Sequence, residues 1–584
     1  MRASVLMCAA LAATGVRPLV AQDTAIVIYP ESAGLHLTPP ELPGATIDEA
    51  VRFFNAPTTT RLVGRARLPA GNAWRGDVAI RNGPALIGGR VEGSVLVLNG
   101  NAVLDSTATI TGDLLVIGGA AVGPRETVAG NVRVYAEPLP YRLVGDTLIH
   151  APDLWRRLSL SARYTFGRGV SRSSLILATG GTYNRIEGLP IIAGPSLDLA
   201  LRGESVRLRA SAVGVFRTAR SISGECCDLG YNARLELRAG TRRPVTLSGR
   251  AFDLVTPVED WGLHSNEVGW EAFLVRRDYR DYFRANGVAA RLSWQVEAPL
   301  GLSLEIRREY QATLTARDPW TLSRTGRPWR PNPPIDNGHY TTLTPSVTLD
   351  SRNDNRDPTS GWYLRGWIDV STSHDVSPQD SIPLAVRAPL PTTGGYTFTR
   401  AFFDLRRYNR LSSQGRLNLR LVLGGWLGGD PLPLQRRLDL GGPEPLPGYD
   451  FRQSACNRAI TDSVSAFAGT NVAACDRVIA VQAEYRGHVS LRARYDPESG
   501  QGEGLGYVTR FLRGPDFVVF GDAGQAWLVG RGPGRVPSNR LPGLDSWIAD
   551  LGLGIDWGGF GVYVAKAINA DQPVRVTARI EHRF

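Results

Sequence analysis

The chain has 584 residues, with 66 Lys and Arg against 55 Asp and Glu for a net charge of +11, and it is 43% hydrophobic but only 21% charged. That length exceeds one small domain, and 65 Gly and 39 Pro beside two Met and a single lysine, Lys566, argue against a helix-rich soluble enzyme, because helices favour Lys, Glu and Met. Apart from Val5 to Ala13 no stretch approaches the ~18 apolar residues of a membrane helix, so a helical membrane bundle is excluded. A β-barrel is not, since its strands cross with ~9 to 11 alternating residues.

Residues 1–21 read as a secretory signal, with Arg2 as the positive end, Val5 to Ala13 as the apolar segment, and Leu19-Val20-Ala21 as the cleavage site before Gln22. Cys8 lies too close to the start for a lipidation box. Residues 22–75 form a lead-in and cap, with one short helix expected over Ile47 to Phe54 and Thr46 and Glu49 spaced as a capping box.

Over residues 76–135 a unit repeats: Gly76-Asp77-Val78, Gly93-Ser94-Val95, Gly112-Asp113-Leu114 and Gly130-Asn131-Val132, with starts 17, 19 and 18 residues apart. That period is too short for helical repeats and predicts a parallel β-solenoid, each coil turning at Gly-polar and stacking Val, Ile and Leu inward. The stretch resembles the bactofilin-like, polymer-forming β-helix family. The resemblance implies a periplasmic module that self-associates or docks a partner, and a rigid spacer is the plain alternative. Residues 136–153, with Pro138, Pro140 and Pro152, read as a linker.

From 154 to 584 the pattern changes to short alternating stretches. Leu417, Leu419, Leu421 and Leu423 alternate with Asn418 and Arg420, and Val574, Val576, Ala578 and Ile580 alternate with Arg575, Thr577 and Arg579. Three features separate a membrane barrel from a soluble sandwich: the signal segment; long polar connections (Arg317 to His339, Thr372 to Gly395) alternating with tight ones (Asn409 to Gly415); and aromatics near strand ends, namely Trp362, Tyr363, Trp367, Trp547 and Trp557. The chain also stops in an alternating strand, at Phe584. The fold class is therefore all-β, a parallel solenoid followed by a transmembrane antiparallel barrel of sixteen strands.

Cys226, Cys227, Cys456 and Cys475 remain after cleavage, and four cysteines allow three connectivities. Cys456 with Cys475 is the preferred bridge because the two flank one polar, Ala-rich loop segment. Cys226-Cys227 suits a vicinal disulfide, two thiols or a partner-linked pair equally. No His lies near either pair, so no metal or cofactor site is expected.

Asp350-Ser351-Arg352-Asn353-Asp354-Asn355 followed by Pro358-Thr359-Ser360-Gly361 resembles a signature of the outer-membrane insertase superfamily of BamA, TamA and the two-partner secretion transporters, also called bacterial surface antigen. Gly441-Gly442, then Leu446-Pro447-Gly448-Tyr449, resembles that family's long sixth loop. Phe520, Asp522 and Gly524 resemble the strand that faces this loop inside the barrel, and the last strands, with Ile580 and Phe584, resemble the family's closing segment. The resemblance implies an arginine on the loop pairing near Asp522, but Pro447 stands at the matching position. Arg452, or the Cys456 to Cys475 bridge, is the candidate replacement anchor. Tyr183 to Leu189 resembles a Tyr-Asn-Arg-Val-Glu-Gly-Leu segment of early barrel strands and reads as a periplasmic turn. The family's periplasmic POTRA modules are replaced here by the solenoid.

No Gly-x-Ser-x-Gly elbow, phosphate loop or Gly-x-Gly-x-x-Gly fingerprint occurs, and the seven histidines have no ligand or catalytic spacing, so no enzyme is expected. Arginine recurs through the barrel strands rather than in one patch, which suits a polar lumen and anionic outer-membrane lipid and lipopolysaccharide, not nucleic acid. The favoured function is insertion or translocation of unfolded client proteins at the outer membrane of a Gram-negative-type bacterium. A passive pore and a structural envelope protein anchored through its solenoid are the alternatives.

Overall fold

The computed structural model describes residues 44–584 except 65, 83, 120, 136–138, 140, 145–146, 151–160, 167–171, 202–205, 220–228, 241–243, 298–299, 324–325, 327, 353–357, 380–381, 392–394, 413, 490–514 and 558–559. The signal segment, residues 22–43 of the lead-in, Cys226, Cys227, Asp354 and Asn355 lie outside the described residues.

Helix α1, Gly44–Asn55, precedes the solenoid. It starts earlier than expected and has no capping box: the Thr46 hydroxyl donates to the Tyr135 hydroxyl (3.3 Å), and Glu49 accepts from Arg133 Nη1 (2.8 Å). Both residues thus tie the helix to the last coil. Nor does α1 cap an end, because Ala50 and Phe54 pack along one flank against Ala79, Leu96, Leu98, Leu115 and Ile117.

The solenoid has three parallel faces, of five, four and three strands. The largest face stacks Thr60–Val63, Val78–Arg81, Val95–Leu98, Leu114–Ile117 and Val132–Tyr135. The first coil therefore starts at Thr60, one coil before the expected boundary at 76; it lacks the Gly-polar signature that marks the others. The signature has a physical basis. A Cβ added at Gly93 would lie 2.5 Å from Gly76 carbonyl carbon and one at Gly130 2.6 Å from Gly112 O, so the corner column admits only glycine. The polar residue beside it bonds to its neighbour in the adjacent coil: Asp77 Oδ1 accepts from Ser94 N (2.8 Å), Ser94 Oγ from Asp113 N (3.0 Å), and Asp113 Oδ1 from Asn131 N (2.7 Å). The expected linker contains a hairpin, Tyr141–Val144 with Thr147–His150, which docks on α1 through Asn55 bonding both backbone groups of Leu148.

Among the described residues seventeen antiparallel strands follow, beside one two-residue parallel strand, Arg535–Val536: β1 Ser161–Phe166, β2 Arg172–Thr179, β3 Pro190–Ala200, β4 Val206–Arg217, β5 Leu229–Ala239, β6 Val245–Pro257, β7 Tyr282–Glu297, β8 Leu300–Thr313 and β9 Asn337–Asp350 form the first half. The second half is β10 Gly361–Ser377, β11 Tyr396–Arg410, β12 Gly415–Gly429, β13 Arg477–His488, β14 Asp516–Val529, β15 Ile548–Trp557, β16 Phe560–Ala567 and β17 Arg575–Arg579. Each pairs with its sequence neighbour, so β2 to β17 make the sixteen-stranded wall and β1 is an additional short strand on the edge of β2.

The wall is inside-out relative to a soluble sandwich. Along β15, Leu551 and Leu553 are 58% and 62% exposed while inward Asp550 and Asp556 are 1% exposed. An apolar exterior around a charged interior is what a hydrocarbon solvent demands. Connections β7 to β8 (298–299) and β15 to β16 (558–559) are two residues, whereas 258–281, 314–336 and 430–476 lie at the opposite end. Exposed Trp294, Trp362, Tyr485, Phe517, Trp557 and Phe560 all sit where their strands reach the short-turn end, forming a girdle. Tyr363 and Trp367, expected in that girdle, instead face the lumen: Tyr363 lies under Arg352 and Trp367 stacks on Phe402 at 5.7 Å. The solenoid meets the short-turn end, where the Asn101 amide donates to Arg352 O (2.8 Å).

Candidate functional site

The connection from β12 to β13, residues 430–476, turns back into the lumen. It leaves the wall on a 3₁₀ turn, Leu434–Arg436, whose first amide donates to Asp336 Oδ2 (2.8 Å). Leu438 and Cys475 exchange backbone bonds (3.1 and 3.0 Å), and Cys475 is disulfide-bonded to Cys456, with Cα atoms 5.4 Å apart. Cys456 belongs to helix α3, Ala455–Thr461, capped by Ser454, whose hydroxyl accepts from Asn457 N and donates to Asp439 Oδ2 (2.7 Å). Burial pushes the Asp439 carboxyl up to about 7 although Ser454 and the Leu440 amide bond to it.

The tip, Gly441 to Tyr449, reaches past β14 to the last strands of the wall. A Cβ on Gly441, where φ is +147°, would lie 2.3 Å from Asp450 O, and one on Gly442 2.3 Å from Tyr449 O, so the turn needs both glycines. Gly448 presses against β15 and β16: its amide donates to Asp550 Oδ2 (2.6 Å), and an added Cβ would lie 2.7 Å from Asp550 Cβ and 2.8 Å from Ala567 N. The Tyr449 hydroxyl lies 2.6 Å from Asn569 Oδ1. Leu446 is fully buried, and Gly524 leaves room for Leu440, whose Cδ1 would be 3.0 Å from a Cβ there.

The loop carries the acid and the last strand the arginines. Glu444 Oε2 takes Arg579 Nη1 at 2.6 Å, with Arg583 Nε at 3.8 Å; Oε1 takes Gln482 Nε2 at 2.7 Å and Arg420 Nη1 at 3.6 Å. Burial opposes the Glu444 charge, but the guanidinium groups of Arg583, Arg579 and Arg420 outweigh it and hold the carboxyl below its usual range. Asp522 faces the lumen as expected of its strand, yet its partner is Arg583, the penultimate residue, not an arginine on the loop. Arg452 does not replace the missing loop arginine: it binds Glu259 and Asp281 at the long-loop end. Pro447 simply precedes the Gly448 contact. Phe520 packs beneath Arg583, with the guanidinium carbon 3.9 Å from its ring centre.

Helix α2, Ser265–Val275, in the β6 to β7 connection, grips the end of β17. Glu267 takes Arg579 bidentately (2.9 and 2.8 Å) and accepts the amides of Ile580 and Glu581 (3.2 and 3.3 Å). The final strand consequently stops at Arg579 instead of running to Phe584, and the tail turns inward, with Phe584 buried and His582 against Asp556 (3.2 Å).

The Asp350 signature closes the β9 to β10 turn. Arg352 pairs with Asp350 in two bonds (2.8 and 2.6 Å), and a Cβ on Gly361, at φ +118°, would lie 2.3 Å from Ser351 O. Pro358 O accepts from Arg416 (3.4 Å), and Thr359 follows it in the turn. Tyr183 to Leu189, expected as a periplasmic turn, does not lie with the short turns: it joins β2 to β3 at the long-loop end. There fully buried Arg185 bonds Asp278 (3.2 Å) and Asp281 (3.0 Å), and Glu187 takes Arg217 (3.2 Å). Asp281 also receives Arg330 at 2.7 Å; against its burial, Arg330, Arg452 and Arg185 hold its carboxyl at about 2.

Glu444, Glu267, Arg579, Arg583 and Asp550 were not singled out by sequence. The available signal was Arg575, Arg579 and Arg583 at every fourth position of the last segment, facing one acid in the loop tip. Among the described residues, no group of three or more His, Cys, Asp or Glu is placed to hold a metal ion.

No protein-family model matches the chain, and no curated protein matches it. Solved structures similar to it include BamA from Haemophilus ducreyi lacking POTRA domains 1–3 (13% identity, TM-score 0.38, covering 75% of this chain and 79% of that one). CdiB from Acinetobacter baumannii (11%, 0.28, 75% and 69%) and CdiB from Escherichia coli (10%, 0.29, 73% and 68%) are also similar.

Proposed function

We propose that this chain is an outer-membrane assembly factor of a Gram-negative-type bacterium, with its solenoid in the periplasm, and that client β-strands enter the membrane at the seam between β1 and β17. The observation that carries the reading is the unclosed sheet. Among the described residues no pairing joins β17 to β1 or β2; β17 is only five residues long, and β1, which covers the edge of β2, is only six and carries no partner strand on its other side. An unpaired edge is a template for an incoming strand, which gains main-chain hydrogen bonds one residue pair at a time. The sequence resemblance to the insertase superfamily, through the Asp350 signature and the Gly441 to Tyr449 loop, agrees with this reading. The pore reading is disfavoured by the loop itself, whose Leu440, Leu446, Ile460 and Phe467 pack with Phe402, Val422 and Val478 inside the wall.

The test is site-specific photo-cross-linking. A cross-linker placed within β1, Ser161–Phe166, should trap the last strand of an insertion-arrested client, while one at Leu304 of β8, on the far wall, should not. Equal trapping at both, or none at β1, would overturn the seam assignment.

A further inference from the structure

The outer wall is not apolar throughout. On β8, β9 and β10, Ile306, Leu343 and Val370 form one exposed cross-strand row, as lipid contact requires. One step toward the long-loop end the row becomes Arg308, Thr341 and Thr372, and the next becomes Tyr310, His339 and His374. The alternate positions Glu309, Gln311, Thr342 and Ser371 are buried in the lumen, so all six polar side chains point out of the barrel. The Tyr310 and His339 rings lie 5.0 Å apart, and the His339 and His374 rings stack at 5.5 Å with 12° between planes.

Ionisable groups on a lipid-facing surface are costly, and they persist where a partner compensates them. The grid holds a guanidinium, two imidazoles and three hydroxyls, every one able to donate a hydrogen bond, and no carboxylate. The nearest acids on this wall are Asp253, which is occupied by Arg284 (Nε to Oδ1 2.9 Å), and Asp375, which lies beyond His374 at the solvent rim. Height fits as well. Leu302 is opposite Trp294 of the inner girdle, and Arg308 is six residues farther along β8. That is about 20 Å of strand, or about 15 Å along the normal at the usual tilt, in the outer half of a band about 25 Å tall. From there a guanidinium reaches the headgroup layer by extending its stem.

We infer that Arg308, Tyr310, His339 and His374, with Thr341 and Thr372, form a docking site for the phosphorylated headgroup of an outer-leaflet lipid. A fork of guanidinium donors flanked by ring N–H and hydroxyl groups matches phosphate oxygens, and the Ile306, Leu343 and Val370 row beneath receives the acyl chains.

The test uses the full-length protein in detergent, with diphosphorylated lipid A and its dephosphorylated counterpart as probes and native mass spectrometry as the readout. The wild type should retain the phosphorylated lipid at least tenfold better, inorganic phosphate at millimolar concentration should not displace it, and the R308Q/H339Q/H374Q variant should lose the preference. The wild-type comparison stands even if that variant fails to fold, and the single change Arg308→Gln should reduce the preference severalfold. Equal retention of the two lipids, displacement by inorganic phosphate, or an undiminished preference in a folded variant would each overturn the site.

Discussion

Replacing Glu444 by Gln should release the lumenal loop without unfolding the barrel. The carboxylate is fully buried and meets Arg579, Arg420 and Arg583, and the amide keeps its volume while removing its charge. Removing one partner of a buried ion pair costs about 3 to 5 kcal/mol. The lower end applies here, because Arg579 keeps Glu267, Arg583 keeps Asp522 and Arg420 keeps Asp404. At 1.36 kcal/mol per decade, about 3 kcal/mol raises the undocked fraction of the loop by roughly 150-fold. Hydrogen exchange reads this directly at the Gly448 amide, which donates to Asp550, and at the Tyr449 amide, which donates to Leu446 O. Protection at both should fall by about two orders of magnitude while the strand amides of β8 to β12 stay unchanged. Unchanged protection at Gly448 in E444Q would refute the acid-on-the-loop anchor.

Gly448→Ala should also expel the tip, because the new Cβ would meet Asp550 Cβ and Ala567 N on rigid strands; overpacking of about 1 to 3 kcal/mol predicts increased proteolysis within 441–449. Asp522→Arg should impair barrel assembly by leaving Arg583 buried against a like charge, and Arg583→Asp in the same chain should restore heat-modifiable migration on gels; no rescue would show that the two do not act as a pair. The Glu49 carboxyl, held below its usual value chiefly by its hydrogen bonds with Arg133, contributes stability that is present above the unfolded value of about 4.3 and lost as pH falls through the lowered folded value. Exchange at α1 amides, corrected for intrinsic rates, should therefore accelerate below about pH 4 in the wild type and show no such step in Arg133→Gln.

The architecture was legible because its periods are local. Gly-polar-Val units 17 to 19 residues apart mark coils whose corner glycines touch, and apolar alternation with inward arginine marks strands between lipid and lumen. The first coil at Thr60 escaped because it satisfies the same pairing without the glycine signature. The hairpin at Tyr141 to His150 was hidden by neighbouring prolines, which interrupt strands but equally bound them. At the site, the motifs located the loop tip and the lumenal strand but not the pairing between them. Ion pairs such as Glu444 to Arg579 or Arg452 to Asp281 join residues more than 130 positions apart, and no spacing rule reports such contacts. Reading Arg452 as the substitute anchor failed for that reason: although close in sequence to the tip, it sits at the long-loop end, beside charged groups of the 258–281 and 314–336 connections.

The central claim is that the β1 to β17 seam admits client strands, and the most direct measurement is insertion kinetics in lipid vesicles. Full-length protein should accelerate membrane insertion of an unrelated unfolded outer-membrane barrel over protein-free vesicles, and a disulfide engineered between β1 and β17 should abolish the acceleration until it is reduced. A folded protein that gives no acceleration, or one that accelerates equally with the seam locked, would contradict the account.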